Sequence, residues 1–268
     1  MKQAGRIRAG IGGWTYAPWE ETFYPADLPK KSQLNYASRQ VTAIEINGTF
    51  YRLQKPAVFA KWRDDAPEDF VFSIKAPRYL TYRKVLSEAV DSVPRFLASG
   101  LSELQQKLGP ILWQLPPSLH FDAADLGKFL EVLPATLDGL PLRHVLEVRH
   151  KSFMTPDYVE LAKQHSIATV FAHTDEYPTF ADVTAGFVYA RLRKAIATEP
   201  TGYAEQDLQA WSARAKLWAE GGAPDDLPYV SDAKPAKAPR DVFVFFINGA
   251  KERAPAAAKH LLKLLNDG

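Results

Sequence analysis

The sequence contains no cysteine among its 268 residues, which excludes disulfide bonds, thiolate metal sites and a cysteine nucleophile. Neither sign of charge dominates, because 33 lysines and arginines face 31 aspartates and glutamates. The overall basic field of a dedicated nucleic-acid-binding protein is therefore missing. No apolar run is long enough to span a membrane, and the opening stretch MKQAGRIRAGIGGW lacks the apolar core of a secretory signal. We predict a globular, cytoplasmic protein that does not engage membranes.

Short runs of β-branched, aromatic and other apolar residues recur eight times along the chain and predict eight strands. The predicted strands cover 6–14, 41–51, 70–76, 109–115, 143–150, 167–174, 187–193 and 242–248. Amphipathic stretches separate them, and several open at Pro or Asp and close at Pro or Gly, as helices do. The last stretch, APAAAKHLLKLLNDG, is predicted as an eighth helix. This alternation predicts an α/β protein, a single-domain TIM-type (β/α)8 barrel over residues 1–268.

Residues 223–241, APDDLPYVSDAKPAKAPRD, interrupt the alternation. Their proline and aspartate content predicts a surface loop before the last strand. We place no domain boundary there, because the eighth strand is needed to close the barrel. An open doubly wound sheet is the alternative fold, but GIGGW lacks the spacing of a phosphate-binding glycine fingerprint.

Polar residues collect at the carboxyl ends of the predicted strands, where TIM barrels place their active sites. Residues two apart share a face of a strand, so the second strand would present Glu45, Asn47 and Thr49 inward. The later strands contribute, at their ends, Ser73, Lys75, Gln114, Glu147, Arg149, His173, Asp175, Tyr189, Arg191, Arg193 and Asn248. We predict that these residues form one polar mouth, in which Glu45 faces Lys75 from the next strand.

Two carboxylates and a lysine are the predicted catalytic residues. Glu45 or Glu147 would act as a base, and Lys75 as an acid or an electrostatic stabiliser. A cationic rim suits a small phosphorylated or carboxylated ligand, and it consists of Lys75, Arg149, Arg191 and Arg193. The predicted function is an enzyme that binds or acts on such a ligand by proton transfer, isomerisation or hydrolysis. A purely structural ion pair between Glu147 and Arg149 is the alternative.

The residues alone leave two other functions open. A divalent-metal isomerase or hydrolase, of the sugar isomerase or endonuclease type, would need Glu45, Glu147, His173 and Asp175 as ligands. The cations around these residues oppose a metal ion, so we predict no metal site and no cofactor. A non-enzymatic nucleotide- or RNA-binding module would combine the basic rim with aromatic residues. Trp14 would either pack a loop over the barrel or stack on a ligand ring. The oligomeric state is left open.

Six motifs follow one another in the order GIGGWTYAPWEETFYP, AIEINGTFYRL, FVFSIKAP, LGPILWQLPP, LEVRHKSF and VYARL. Together they resemble the YecE-like family, domain of unknown function 72, from about Ile7 to the C-terminal helix. The resemblance implies a TIM-barrel-like fold and a bacterial or archaeal cytosolic protein, without specifying a reaction. The family's recurrent polar positions correspond here to Glu45, Asn47, Thr49, Tyr51, Lys75, Gln114, Glu147, Arg149, His150 and Arg191. Tyr51 and His150 thereby join the predicted ligand-binding residues.

The chain departs from the family pattern at two places. Asn248 is kept in the last strand, but Gly249 and Ala250 stand where further polar residues are expected. Tyr82 stands where a histidine is expected after the third strand. These departures lead us to expect an altered ligand.

Overall fold

The structure is a computed structural model that describes residues 4–233 and 235–267. Eight parallel strands close into a barrel in which each strand pairs with its neighbours in the chain and the last pairs with the first. The strands are β1 (Ile7–Gly12), β2 (Ala43–Ile46), β3 (Val71–Lys75), β4 (Leu108–Gln114), β5 (His144–Glu147), β6 (Ala168–His173), β7 (Phe187–Leu192) and β8 (Asp241–Phe246). The predicted TIM-type barrel is confirmed.

Helices cover the outside of the barrel. In the described residues they are α1 (Trp19–Thr22), α2 (Gln33–Ala37), α3 (Pro56–Asp65), α4 (Arg78–Thr81), α5 (Val93–Leu97), α6 (Ala123–Glu131), α7 (Pro156–Gln164), α8 (Glu205–Ala219) and α9 (Ala254–Asn266). Two of them begin at capping side chains: Asp122 accepts a hydrogen bond from the backbone of α6, and Thr155 from that of α7. None of the described helices is long and apolar enough to cross a membrane.

One of the amphipathic stretches between the predicted strands, VPRFLASGLSELQQKLG, does not form a continuous helix. It splits into α5 and a 3₁₀ segment, Leu101–Lys107, on either side of Gly100. Gly100 has a φ of +113°, and a Cβ there would lie 2.6 Å from the Cα of Pro56 at the start of α3. The chain therefore turns at the one residue that tolerates both this backbone angle and this close approach.

The predicted second strand, 41–51, is too long. β2 ends at Ile46, and residues Gly48–Phe50 form a 3₁₀ turn. The hydroxyl of Thr49 donates hydrogen bonds to the carbonyls of Ile46 (3.1 Å) and Lys75 (2.7 Å), which ties the end of β2 to the end of β3. Thr49 is buried in this turn and does not continue the inward face of β2.

The barrel interior is filled with side chains. Its apolar part includes Val71, Leu112, Val145 and Phe243 from four strands, while a separate apolar layer lies between strands and helices. Nearer the carboxyl ends, the inward positions change from apolar to polar.

Before β8, residues 223–233 and 235–240 form no helix or strand, and Asp182 accepts hydrogen bonds from the backbone of Val230 and Ser231.

Candidate functional site

An ionic cluster, which we call the floor, crosses the barrel interior below its mouth. Arg191 on β7 donates two hydrogen bonds to Glu45 on β2, from Nη2 to Oε1 (3.0 Å) and from Nε to Oε2 (3.1 Å). The hydroxyl of Tyr189 also donates to Glu45 Oε2, at 2.7 Å. Both oxygens of Glu45, a fully buried residue, are therefore occupied by groups from β7.

Glu147 on β5 is the second carboxylate of the floor. Its Oε2 accepts from Arg191 Nη1 and from Gln114 Nε2, the latter at 2.8 Å. Its Oε1 accepts from Nε and Nη2 of Arg149, at 3.0 and 2.8 Å. Burial raises the pKa of Glu147, but the charges of Arg191 and Arg149 outweigh burial and lower it to about 2. Glu147 is therefore an ionised structural partner, as in the ion-pair alternative, and a poor proton acceptor near neutral pH.

The predicted pairing of Glu45 with Lys75 is wrong. Glu45 lies beside Ser73 in the register of β2 and β3, so Lys75 lies one step nearer the mouth. The two-pronged guanidinium of Arg191 reaches Glu45 from across the barrel and satisfies both its oxygens. Lys75, on the neighbouring strand β3, therefore has no ion pair with Glu45.

Lys75 forms no ion pair with any carboxylate of the described residues. Its ammonium group lies 4.0 Å from the ring centroid of Phe50, and the residue is only 8% exposed. Burial and the charge of Arg191 lower the pKa of Lys75 to about 8, although Glu45 and Glu147 act in the opposite direction. Lys75 is therefore a buried cation whose charge the protein does not neutralise by direct contact.

Above the floor, a cavity of about 550 Å³ opens at the carboxyl ends of the strands; we call it the mouth pocket. Its described lining consists of Gly12, Asn47, Phe50, Tyr51, Lys75, Tyr82, Gln114, Arg149, Tyr177, Arg191, Arg193, Phe246, Ile247, Asn248 and Lys251. Five of these side chains are cationic, and none of the described lining residues is an aspartate or a glutamate. All charged side chains of the described lining are therefore positive.

Two arginines of the lining flank one aromatic ring. The guanidinium carbons of Arg149 and Arg193 lie 4.4 and 5.0 Å from the ring centroid of Tyr177. Arg193 also donates to Glu176 through Nη2 at 3.1 Å, whereas its buried Nε and Nη1 have no hydrogen-bond partner among the described residues. Buried donors without a partner are uncommon in folded proteins.

Several predicted site residues are brought together in the pocket. They are Asn47, Tyr51, Lys75, Gln114, Arg149, Arg191 and Asn248. The two predicted catalytic carboxylates, Glu45 and Glu147, lie beneath the lining and are engaged by Arg191. Their arrangement supports a role in positioning Arg191 and gives neither one direct access to a ligand.

Besides Thr49, which is buried in the turn after β2, three predicted ligand-binding residues lie outside the lining. Trp14 packs edge-on against Trp62 of α3, with ring centroids 5.3 Å apart, which agrees with the packing alternative. His150 accepts a hydrogen bond through Nδ1 from the backbone of Ser152 and stacks on His120.

His173 is the third of these. The strand alternation points Ala172 inward, so His173 faces α8, with its ring centroid 5.0 Å from that of Trp211. Burial and the nearby charges of Lys194 and Arg214 lower the pKa of His173 to about 4. The imidazole is therefore a neutral packing group on the outer face of β6 near neutral pH.

The lining also includes residues that the sequence did not indicate, and three of them with large side chains lie in loops, namely Phe50, Tyr177 and Lys251. The ammonium group of Lys251 lies 4.6 Å from the ring centroid of Tyr16 and 5.4 Å from that of Trp19. All three lie beyond strand ends, where alternation gives no signal. Their only sequence signal is position, since the loops after barrel strands line the mouth of this fold.

Both departures from the family pattern have structural consequences here. Tyr82 lines the pocket, and its hydroxyl donates to Gln114 Oε1 at 3.2 Å, so a phenol stands where a histidine was expected. Gly249 has a φ of +64°, and a Cβ there would lie 2.5 Å from the carbonyl oxygen of Ala195. A side chain at 249 would meet both a strained backbone and a clash.

The described residues contain no cluster of three or more histidine, aspartate or glutamate side chains arranged for a metal ion. The oxygens of Glu45 and Glu147 instead accept hydrogen bonds from Arg191, whose positive charge lies where a metal ion would have to bind.

A closed parallel (β/α)8 barrel with a polar pocket at the carboxyl ends of its strands defines a TIM-barrel protein. The sequence profile of the family described as protein of unknown function DUF72 matches residues 8–268, and the chain belongs to this family. The family predicted from the six motifs is confirmed.

Two bacterial relatives share part of the sequence. The chain is 30% identical to the UPF0759 protein YecE of Escherichia coli K12 over 148 residues, which are 55% of this chain and 50% of that protein. It is 24% identical to the UPF0759 protein YunF of Bacillus subtilis over 159 residues, 58% of this chain and 54% of that protein. The matches thus span about half the length of these curated relatives.

Solved structures share the whole fold. A DUF72 family protein of Thermotoga maritima is 21% identical, with a TM-score of 0.73 over 97% of this chain and 99% of that one. A DUF72 family protein of Enterococcus faecalis is 18% identical, with a TM-score of 0.68 over 97% and 95% of the two chains. SacUVDE is 13% identical, with a TM-score of 0.56 over 98% of each chain. At these identities the likeness concerns the fold alone.

Proposed function

We propose that this protein is an enzyme that binds a small phosphorylated or carboxylated ligand in the mouth pocket. The observation that carries the proposal is the lining itself, with five cationic side chains and no carboxylate among its described residues. Arginine forks match the oxygens of phosphate and carboxylate groups, and lysine adds a compact charge. The pocket therefore offers both charge and hydrogen-bond donors to such a ligand.

The cations divide into those that the protein neutralises and those that it leaves for the ligand. Arg191 is held between Glu45 and Glu147, and Arg149 is held by Glu147. Lys75 has no carboxylate partner in the described chain, and Arg193 keeps two buried donors unused although its Nη2 pairs with Glu176. We assign ligand binding chiefly to Lys75, Arg193 and Lys251, and we assign Glu45 and Glu147 to holding Arg191.

Lys75 is also the group best placed for proton transfer. A buried amine whose pKa lies near 8 can exchange a proton with a bound ligand close to neutral pH. A lysine in this state inside a pocket is a feature that active sites often show. Isomerisation, hydrolysis and simple proton transfer all remain compatible with this assignment.

Thermal unfolding with inorganic phosphate and with a panel of phosphorylated and carboxylated metabolites tests the proposal. Ligand at about 100 times its Kd should stabilise the folded protein by roughly 2.7 kcal/mol. Lys75→Met and Arg193→Gln should lose most of this stabilisation. Lys61→Met is the matched control, because Lys61 is exposed on α3 and pairs with Asp65. Stabilisation unchanged in both pocket variants would locate the ligand elsewhere, and no stabilisation by any anion would reject the proposal.

The two alternative functions predict other results. A metal-dependent isomerase or hydrolase should be stabilised by divalent cations, and this should vanish in Glu45→Gln. An RNA-binding module should bind oligonucleotides with a steep dependence on salt concentration. The cytoplasmic location stays a prediction, which fractionation of the source cells would test.

A further inference from the structure

Two cations of the mouth pocket, Lys75 and Arg193, lie on opposite walls of the barrel; Lys75 has no ion pair in the described residues, and Arg193 is paired with Glu176 through Nη2 only. Lys75 is the last residue of β3, and Arg193 directly follows the last residue of β7. In the closed ring of eight strands, β3 and β7 are four strands apart in either direction. A ligand that contacts both residues must therefore span the mouth.

The two residues are also chemically different. Arg193 ends in a planar guanidinium with several donors, and its buried Nε and Nη1 have no partner in the described residues. Lys75 ends in a primary amine, which becomes a nucleophile once it loses its proton. Its amine lies against the face of Phe50, with no ion pair to a described carboxylate that would hold the proton in place.

We propose that Lys75 forms an imine with the carbonyl carbon of a small anionic aldehyde or ketone, whose phosphate or carboxylate group is held by Arg193 on the opposite wall. This inference rests on the proposed function, because it presupposes that the mouth pocket binds an anion. It adds to that function the second chemical group of the ligand and a covalent intermediate.

The reaction balances with water as its only by-product. The lone pair of the neutral Lys75 amine forms a bond to the carbonyl carbon, and the π electrons of the C=O bond move to oxygen, which takes up a proton. The attacking nitrogen loses one proton, which gives a carbinolamine. The hydroxyl group then takes up a proton and leaves as water while the nitrogen lone pair forms the C=N bond. The product is a protonated imine, and no oxidant or reductant is consumed.

Neighbouring groups of the pocket suit these steps. Burial lowers the pKa of Lys75 to about 8, so a useful fraction of its amine is neutral near physiological pH. The hydroxyl of Tyr82 lines the same pocket, and burial raises the pKa of Tyr82, which keeps this phenol protonated and able to supply a proton to the carbonyl oxygen. The hydroxyl of Tyr82 donates a hydrogen bond to Gln114, which itself donates to Glu147 of the floor, and this fixes the orientation of the phenol.

Reductive trapping tests the inference on the intact protein. The protein is incubated with pyridoxal phosphate, whose aldehyde and phosphate groups lie on different sides of a ring, and with sodium cyanoborohydride, which converts an imine into a stable secondary amine. Peptide mapping by mass spectrometry then locates the label. We expect Lys75 to be modified roughly 300 times faster than exposed lysines, because its pKa is lowered from 10.5 to about 8 and the neutral fraction rises about tenfold for each pH unit of that difference. Excess inorganic phosphate should slow the labelling.

Two variants make the test specific. Lys75→Arg keeps the positive charge but cannot form an imine, so it should lose the fast labelling and still be stabilised by phosphate. Lys61→Arg, on the exposed face of α3, should label as the unmodified chain does. Circular dichroism confirms that both variants fold.

The outcomes separate this inference from the function on which it rests. Fast, phosphate-sensitive labelling of Lys75 supports both. Stabilisation by phosphate without preferential labelling of Lys75 rejects the imine and leaves anion binding in place. Fast labelling that persists in Lys75→Arg also rejects it, because another lysine would then be responsible. Absence of both stabilisation and labelling rejects the two proposals together.

Discussion

The floor and the mouth of this barrel both contain buried cations, but these cations have very different surroundings. In the floor, Arg191 meets Glu45 and Glu147, and nearly every donor and acceptor is used. In the mouth, Lys75 lies on the same face of β3 as Ser73, the residue beside Glu45, but two residues nearer the carboxyl end. It has no carboxylate partner in the described chain. Buried charges are stable only when they are paired, so an unpaired one needs another explanation. The contrast suggests that the floor serves folding and the mouth serves a ligand.

Removal of Arg191 is expected to have the largest effect on the floor. Arg191→Met leaves Glu45 and Glu147 buried without their shared cation, and breaking a buried pair in this way costs about 3–5 kcal/mol. Urea denaturation measures the loss. Arg143→Met is the control, because its pair with Asp241 is partly exposed and is expected to contribute less than about 1 kcal/mol. Equal losses in the two variants would contradict the special role of the floor.

Acid should weaken the floor before it affects the mouth. Glu147 has a pKa of about 2 in the folded protein and an ordinary value of 4.5, so its stabilisation is complete above pH 4.5 and is lost as the pH falls toward 2. The shift corresponds to about 3 kcal/mol. Urea midpoints between pH 5 and pH 2 measure it. Glu147→Gln should flatten this dependence, whereas Glu160→Gln, on the exposed face of α7, should not.

Removal of Lys75 from the mouth should stabilise the folded protein, whereas removal of Arg191 from the floor should destabilise it. Lys75→Met deletes a buried, unpaired charge and is expected to raise the free energy of unfolding by about 1–3 kcal/mol at pH 7. Lys75 has a folded pKa of about 8 against an ordinary 10.5, so the unfolded chain binds more protons between these values and stability rises with pH through this window. Urea midpoints at pH 7 and pH 10 check both effects. A destabilised variant would mean that the ammonium has a stabilising partner.

The smallest expected effect concerns the link between the two regions. Tyr82→Phe removes the hydroxyl that donates to Gln114, which in turn donates to Glu147. We expect a loss of about 1 kcal/mol or less, because this hydrogen bond is neutral and partly buried. Phosphate binding should persist, since no cation is removed. A loss comparable to that of Arg191→Met would show that the mouth and the floor are one energetic unit.

Alternation along the strands was enough to predict which residues face inward and at which end of the barrel they lie. Glu45, Lys75, Glu147 and Arg191 all follow this rule. Alternation carries no information on partners across the barrel. We therefore predicted that Glu45 pairs with Lys75 on the neighbouring strand, whereas it pairs with Arg191 on β7. Partner choice depends on side-chain reach and on the stagger of the strands, which only the assembled barrel fixes.

The rule also fails where a strand ends. Asn47 and Thr49 continue the pattern of β2 in the sequence, but the hydroxyl of Thr49 bonds to two carbonyls and turns the chain. Lys251 lies in a loop, where neither period nor burial could indicate that it reaches the pocket. His173 has the right residue type at the end of a strand but the wrong parity for the interior.

The most direct test of the contrast between floor and mouth is the pKa of the Lys75 amine in the folded protein, measured by NMR titration of its side-chain nitrogen and assigned with Lys75→Arg. An unpaired, buried ammonium predicts a value near 8. A value at or above the ordinary 10.5 would show that Lys75 is either ion-paired, as the floor cations are, or exposed to water. It would contradict the contrast between floor and mouth.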